Sequence, residues 1–327
     1  MIKLRTTQIG VGLALALSLS LAACTDSPPK QPAPTPAPSA TPTYSSFTGL
    51  TIEAAKPVLA VKIDNTRAAH PQAGLSQADV VYLEEVEAGL TRLLGIFSSR
   101  LPRTVGPVRS ARESDLELLR QYGEPALAYS GAHSKLLPII RRAPLYDVSP
   151  DKATGAYRRD SSRPRPYNLF ADPARLLAKA LKASPARDIG FRFGEAPAGG
   201  IAQESVTVRY PAARATFTWS SKDKRWLLSM DGRRVMAAEG GQLGGTTVVI
   251  QYVNVRSSRF GDFLGNRTPY IQTVGSGTAL VLRDGQQHQA RWSRSNASSG
   301  TTFTTTDGKP ITFATGQVWV ALARKPG

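Results

Sequence analysis

Val80-Val81-Tyr82-Leu83-Glu84-Glu85-Val86-Glu87 decides how the N-terminal half of this 327-residue chain is read. It opens on β-branched and aromatic residues and ends in apolar/acidic alternation, which predicts a strand. Gly89 breaks it, and Thr91 to Phe97 offers a second strand of Leu, Leu, Ile and Phe. Upstream, Val58-Leu59-Ala60-Val61-Lys62-Ile63 is a short apolar run suited to a buried strand, closing at Asp64-Asn65. Arg67 to Gly74 contains Pro71 and reads as loop. Downstream, Pro102 and Pro107 punctuate a further loop, and Ser114 to Tyr122 has helical spacing, with Leu116, Leu119 and Tyr122 on one face. Ala126-Leu127-Ala128-Tyr129 predicts a buried strand ahead of Gly131-Ala132-His133. Lys135 to Arg142 reads as a short helix interrupted by Pro138, and residues 143–168 as irregular. Asp172-Pro173 is a helix start, an N-cap acceptor followed by proline at the first helical position, for a helix carrying Leu176, Leu177 and Leu181. Residues 47–195 therefore read as a mixed α/β (α+β) domain.

From about residue 200 the texture changes. Short β-forming runs (Val206–Tyr210, Trp226–Met230, Thr247–Val253, Ala279–Leu282, Val318–Leu322) alternate with turn residues. Asp231-Gly232, Asp284-Gly285 and Asp307-Gly308 suit the positive φ of tight hairpin turns. Residues 196–327 thus predict a mainly antiparallel β domain, either separate from the first or merged with its sheet.

The N-terminal end carries an address. Lys3 and Arg5 precede the apolar run Ile9 to Leu21, and Leu21-Ala22-Ala23 leads to Cys24, the single cysteine of the chain. This is the tripartite plan of an export signal. The apolar run falls short of the roughly 20 residues a spanning helix needs, which disfavours a plain transmembrane anchor. Small residues before a cysteine resemble a bacterial lipobox, in which the thiol is lipidated and becomes the new N-terminus. Residues 1–24 are then a lipoprotein signal with Cys24 as the lipidation site, and a secretory signal with an incidental cysteine is the weaker alternative. Thr25, not Asp, follows Cys24, the pattern of sorting to an outer membrane in a two-membrane cell. Residues 25–46 hold seven prolines among Ala, Thr, Ser and Gln, with almost nothing to bury, and predict a disordered tether.

With no second cysteine, an exported body has no disulfide and must be held by packing. The formal charge is +17, and +15 once Lys3 and Arg5 are removed. Such a charge attracts polyanions, which outside the cell are lipid headgroups, wall polymers and stray nucleic acid. Export makes nucleic acid a poor primary partner.

Four stretches of the first half resemble the YerB-like family of bacterial lipoproteins: Pro57-Val58-Leu59-Ala60-Val61-Lys62-Ile63-Asp64-Asn65, Pro71-Gln72-Ala73-Gly74-Leu75-Ser76-Gln77-Ala78-Asp79-Val80-Val81-Tyr82, Glu87-Ala88-Gly89-Leu90-Thr91-Arg92 and Val105-Gly106-Pro107-Val108-Arg109-Ser110-Ala111-Arg112. Asp307-Gly308-Lys309-Pro310-Ile311 and Gly316-Gln317-Val318-Trp319-Val320 resemble that family's second domain. The resemblance spans most of residues 50–325 and implies an anchored, two-domain envelope protein. It carries over no catalytic assignment.

The residues themselves suggest a site. Ligands in α/β sheets gather beyond the carboxyl ends of strands. Asp64 and Asn65 close one predicted strand, Glu87 another, Arg109 and Arg112 follow a Gly-Pro turn, and His133 follows a third strand. A cleft lined by Asp64, Glu87, Arg109, Arg112 and His133 is the expectation. Asp64, Glu87 and His133 are the candidate catalytic groups, since two carboxylates can serve as acid and base on a glycan. Asn65, Arg109 and Arg112 are candidate ligand-binding groups, because arginine clamps carboxylate and phosphate. The alternative is a buried ion-pair network that fixes the sheet. Tyr157-Arg158-Arg159-Asp160-Ser161-Ser162-Arg163-Pro164-Arg165-Pro166-Tyr167 adds Arg158, Arg159, Arg163 and Arg165 as candidate anion contacts, against the alternative of a solvated loop. Glu84, Glu85 and Glu87 could hold a divalent cation, though such runs more often pair with arginines. The three histidines lack ligand spacing, no nucleotide or hydrolase motif is present, and no cofactor or metal is expected. Ser149-Pro150-Asp151-Lys152 and Ser221-Lys222-Asp223-Lys224 match Ser-x-x-Lys in spacing but sit in predicted loops.

The sequence thus predicts a membrane-anchored envelope protein that binds an anionic or glycan wall component, as an adaptor or regulator of wall enzymes. The alternatives are a glycan-cleaving enzyme acting on peptidoglycan and a binding protein for a small anionic metabolite. The expected partners are the bilayer through Cys24, peptidoglycan or an anionic wall polymer, and envelope proteins.

Overall fold

The computed structural model describes residues 42–262 and 265–325. Cys24, the signal segment and the tether through residue 41 lie outside them. Thr43–Tyr44, near the C-terminal end of the expected tether, pairs with Thr51–Ile52.

A 12-stranded sheet runs through both halves of the chain. Across it stand, in order, Ile201–Ala202, Gln286–Arg294, Gly275–Arg283, Thr247–Gly261, Val318–Arg324, Val80–Glu85, Thr91–Phe97, Leu59–Asp64, Ala126–Ala128 and Tyr146–Asp147. Two shorter strands hang from this path, Arg267–Gln272 on Thr247–Gly261 and Thr302–Thr304 on Gln286–Arg294. The seam is Val318–Arg324, parallel to Val80–Glu85 on one side (Val318 opposite Val80) and to Thr247–Gly261 on the other (Val318 opposite Thr247). The two expected domains therefore share one sheet. A second sheet of Ser205–Tyr210, Ala213–Ser220, Arg225–Met230, Arg233–Arg234 and Gly244–Gly245 covers part of it.

Both faces of the central strands of the large sheet are buried, so Leu59–Asp64, Val80–Glu85 and Thr91–Phe97 are apolar on both sides, while outer strands such as Gln286–Arg294 alternate buried and exposed residues. Leu59, Val61, Ile63, Val81, Leu83, Leu93 and Trp319 form one core with Phe217, Trp226 and Leu228 of the second sheet. Ala60, Val80, Tyr82, Leu94, Ile96, Val318 and Val320 form the other, against Leu118, Leu119, Tyr122, Phe303 and Phe313. Lys62 and Glu84 occupy positions on this second face, fully withdrawn from solvent. Lys62 donates to Glu84 and, at 2.7 Å, to Asp115.

Helix is scarcer than the α/β expectation. The Ser114–Tyr122 reading becomes Glu113–Leu119 followed by a 3₁₀ turn at Arg120–Tyr122. The other α-helices among the described residues are Leu137–Ile140, which accommodates Pro138 in its first turn, and Pro173–Leu177. Asp172 caps the last as expected, its carboxylate accepting from the amides of Ala174 and Arg175. The helix stops before Leu181, which stays exposed. Helices this short hold few turns of their own and depend on the sheet they cover. The molecule is mostly β.

The hairpins form at all three Asp-Gly pairs. Asp231-Gly232 and Asp284-Gly285 are two-residue turns with positive φ at both positions (50° and 79°, 51° and 73°). Asp307-Gly308 lies in a longer loop closed by Thr305 and Lys309.

Candidate functional site

Five of the residues singled out in the sequence meet at one cavity of about 580 Å³: Asp64, Glu87, Arg109, Arg112 and His133. Asp64 ends the Leu59–Asp64 strand. Glu87 begins the turn between Val80–Glu85 and Thr91–Phe97. The segment after Pro107 runs back along the first of these strands, with Asp64 N–H donating to Pro107 O and Arg109 N–H to Lys62 O, which carries Arg109 to Asp64. Gly106 makes that approach feasible: at φ 149°, a Cβ there would lie 2.9 Å from Leu169 O. Arg112 precedes the Glu113–Leu119 helix and reaches Glu87.

Asp64 faces Arg109 Nε at 2.5 Å as an ion pair, while its other oxygen accepts from the Thr66 amide and hydroxyl at 2.7 and 2.6 Å. Glu87 accepts from Arg112 Nη2 at 2.5 Å on one oxygen and from the Thr268 hydroxyl on the other. Burial alone would raise the Glu87 pKa, but the bonds and charge of Arg112 and the Thr268 hydroxyl outweigh it and hold it below the usual carboxylate range. His133 stands half-buried against Phe260 at 5.5 Å, its Nδ1 accepting from the Lys135 amide.

A third guanidinium completes the group. Arg92 is 9 % exposed and lines the cavity. It donates to Ser110 O at 3.1 Å and has no carboxylate partner among the described residues. Burial, then the neighbouring charges of Arg112 and Arg109, push its pKa down to about 9, opposed in part by the Glu87 and Asp64 carboxylates, so it stays cationic at neutral pH. The sequence reading missed Arg92. The available signal was a lone basic residue in the otherwise uncharged Thr91–Phe97 strand.

The remaining candidates lie elsewhere. Asn65 is buried and braces the strand end, donating to Thr91 and accepting from Gln72. Of the basic segment, only Tyr167 reaches the cavity. Arg158 and Arg163 lie over the Phe170 ring, Arg163 also donates to Ala69 O and Pro71 O, and Arg159 donates to Asn168. Arg165 is exposed. Glu84, Glu85 and Glu87 do not converge: they go to Lys62, Arg324 and Arg112 respectively. Neither Ser-x-x-Lys lies in a helix that would set its lysine one turn from its serine.

Residues 47–187 match the N-terminal domain, and residues 206–320 the C-terminal domain, of a family described as "Protein of unknown function (DUF3048)". The chain is 28 % identical over 290 residues to "Putative lipoprotein YerB" of Bacillus subtilis (strain 168), covering 84 % of each. The crystal structure of the Bacillus subtilis YerB protein superposes with a TM-score of 0.73 at 22 % identity, covering 86 % of this chain and 97 % of that one, a likeness of fold. With both domain matches in order along one chain and the YerB fold beneath them, this protein belongs to the YerB-like, two-domain DUF3048 family.

Proposed function

We propose that this protein is a lipid-anchored envelope protein that binds an anionic envelope component in the Arg92–Arg109–Arg112 cavity. The observation that carries the reading is Arg92. It is a buried cation with no carboxylate in bonding contact, because Glu87 and Asp64, whose charges reach it, are already paired with Arg112 and Arg109; a bound carboxylate or phosphate would supply the direct partner. Arg109 and Arg112, already held in place by Asp64 and Glu87, would meet such a ligand with little reorganisation. The anchor rests on the Cys24 pattern and on the lipoprotein name of the Bacillus relative. Thr25 after Cys24 points to the outer membrane where the cell has one.

The glycan-cleaving alternative needs one carboxyl that keeps its proton while another is ionised. Asp64 and Glu87 are each paired with an arginine, and Glu87 is held to the ionised side. That arrangement suits holding an anion better than donating a proton.

The test is calorimetric titration of the full-length chain in detergent micelles with glycerol 3-phosphate and with a muramyl dipeptide, alongside pelleting with purified peptidoglycan. Arg92→Met is expected to weaken anion binding at least tenfold, about 1.4 kcal/mol, without release of glycan fragments by either protein. Fragment release lost in Asp64→Asn or Glu87→Gln would replace this reading with an enzyme.

A further inference from the structure

Behind the turn that carries Glu87 lies a second cavity of about 170 Å³. It shares Val86 and Ala88 with the first, so the Glu87–Gly89 turn is the wall between them. Arg256, Arg267 and Arg324 line it, against one carboxylate, Glu85, which Arg324 grips through two bonds of 2.7 and 2.8 Å. Arg256 lies over the Tyr270 ring at 4.2 Å, and Arg267 donates to the carbonyl of Arg259 at 3.4 Å. Neither has a carboxylate partner among the described residues. No aromatic side chain lines this cavity, so a sugar ring has no face to stack on there.

The wall joins the two cavities chemically. Glu87 accepts from Arg112 on the side of the first and from Thr268, which lines the second. Ala88, at its centre, holds φ 56° and ψ 21°, the left-handed region that a non-glycine residue enters at a cost of roughly 1–2 kcal/mol. Strain of this kind persists where the surroundings enforce it and gathers at ligand clamps.

We propose that the protein holds a linear phosphodiester chain across the Glu87–Gly89 turn, with one phosphate in the arginine cavity and a neighbouring one against Arg256, Arg267 and Arg324. The inference rests on the anion-binding reading and narrows its ligand from any anionic component to a polymer with repeating phosphates. Three arginines on each side of a thin wall, set among Asp64, Glu87 and Asp262 on one side and Glu85 on the other, can meet a chain that carries a charge at each repeat. A single carboxylate or sugar would leave one cluster empty. Occupying both makes the second contact intramolecular, which raises affinity without any new contact type.

The experiment compares glycerol 3-phosphate with a synthetic glycerol-phosphate hexamer, at equal phosphate concentration, on the full-length chain in detergent micelles. Phosphatidylglycerol vesicles form a third arm, presenting the same chemistry from a lipid surface. The hexamer is expected to bind at least tenfold more tightly per phosphate than the monomer. In the doubly substituted Arg256→Gln/Arg267→Gln protein, whose altered residues are exposed and outside both cores, its affinity falls to that of glycerol 3-phosphate. Equal affinities in the wild type, an advantage that survives the double substitution, or binding to vesicles alone each overturns the inference. Monomer binding that depends on Arg92 without any gain from chain length overturns only this inference and leaves the anion cavity standing. Binding of neither probe removes both.

Discussion

Replacing Glu84 by glutamine is expected to make the protein more stable at pH 8 and to flatten its dependence on pH. Glu84 lies in a fully buried strand, bonded to Lys62, which also bonds to Asp115 at 2.7 Å. One ammonium between two carboxylates carries a net negative charge when all three are ionised. Burial, partly opposed by Lys62 and reinforced by Asp115, pushes the Glu84 pKa up to about 8, so one proton keeps the group neutral. In the unfolded chain Glu84 returns to about 4.5. Because the folded value is the higher one, its contribution is fully present below the unfolded value and is lost as pH rises towards 8. One proton sets an upper limit of about 1.4 kcal/mol per pH unit, of which a buried group that keeps its lysine partner realises part. The amide of the Glu84→Gln variant keeps the neutral state at every pH. The variant should therefore match the wild type near pH 5 and exceed it by on the order of 2 kcal/mol at pH 8. Urea unfolding of both proteins at pH 5, 6, 7 and 8 measures the difference. His70 and His288, both lowered by burial, give stability that is lost as pH falls, and Asp79, raised by burial, acts in the same sense as Glu84. All three are common to the two proteins and cancel in the comparison. Parallel curves for wild type and variant would refute the shared-proton account.

Arg92→Met should leave thermal stability unchanged or raised while weakening anion binding at least tenfold, because it removes a buried cation that no carboxylate contacts directly; paired melting and titration curves check this. Asp172→Ala removes the cap of the Pro173–Leu177 helix and should cost about 1 kcal/mol in urea unfolding, with anion binding unaffected because the helix lies outside the cavity. Gly244→Ala places a methyl 2.0 Å from the carbonyl oxygen of Trp226, which backbone cannot yield; a loss of several kcal/mol or failure to accumulate is expected, scored by soluble yield and melting.

Much of the first half could be read from residues alone. The apolar runs ending at Asp64 and entering Glu84 became strands, and the strand-end rule brought Asp64, Glu87, Arg109, Arg112 and His133 to one cavity. The Asp-Gly turns were legible because their backbone requirement is local. Long-range pairing was not: nothing in the run Val318–Leu322 distinguishes a strand that pairs with its own half from one parallel to Val80–Glu85. Helix length was overstated beyond Leu177, since the leucine at 181 fits the period yet finds no surface to cover. Arg92 was passed over because a charge in an apolar strand declares its environment only after the neighbouring arginines arrive from residues 109 and 112. Lys62 was hidden in the same way, its partners coming from Val80–Glu85 and from the helix that holds Asp115.

The strand at the seam also sets an order of events. Glu85 and Arg324, which grip each other across it, are 239 positions apart, and Gln317 bonds to the Ala78 carbonyl at the same separation. A chain emerging from a ribosome or a translocation channel presents Val80–Glu85 long before its parallel neighbour exists. Until Val318–Arg324 arrives, one edge of that strand has no mate and two half-sheets cannot join. Closing so long a loop is slow. A product cut short before the seam strand is left with an open β edge, the kind of surface that invites aggregation and chaperone binding. For this topology the large sheet is complete only once Val318–Arg324 is in place.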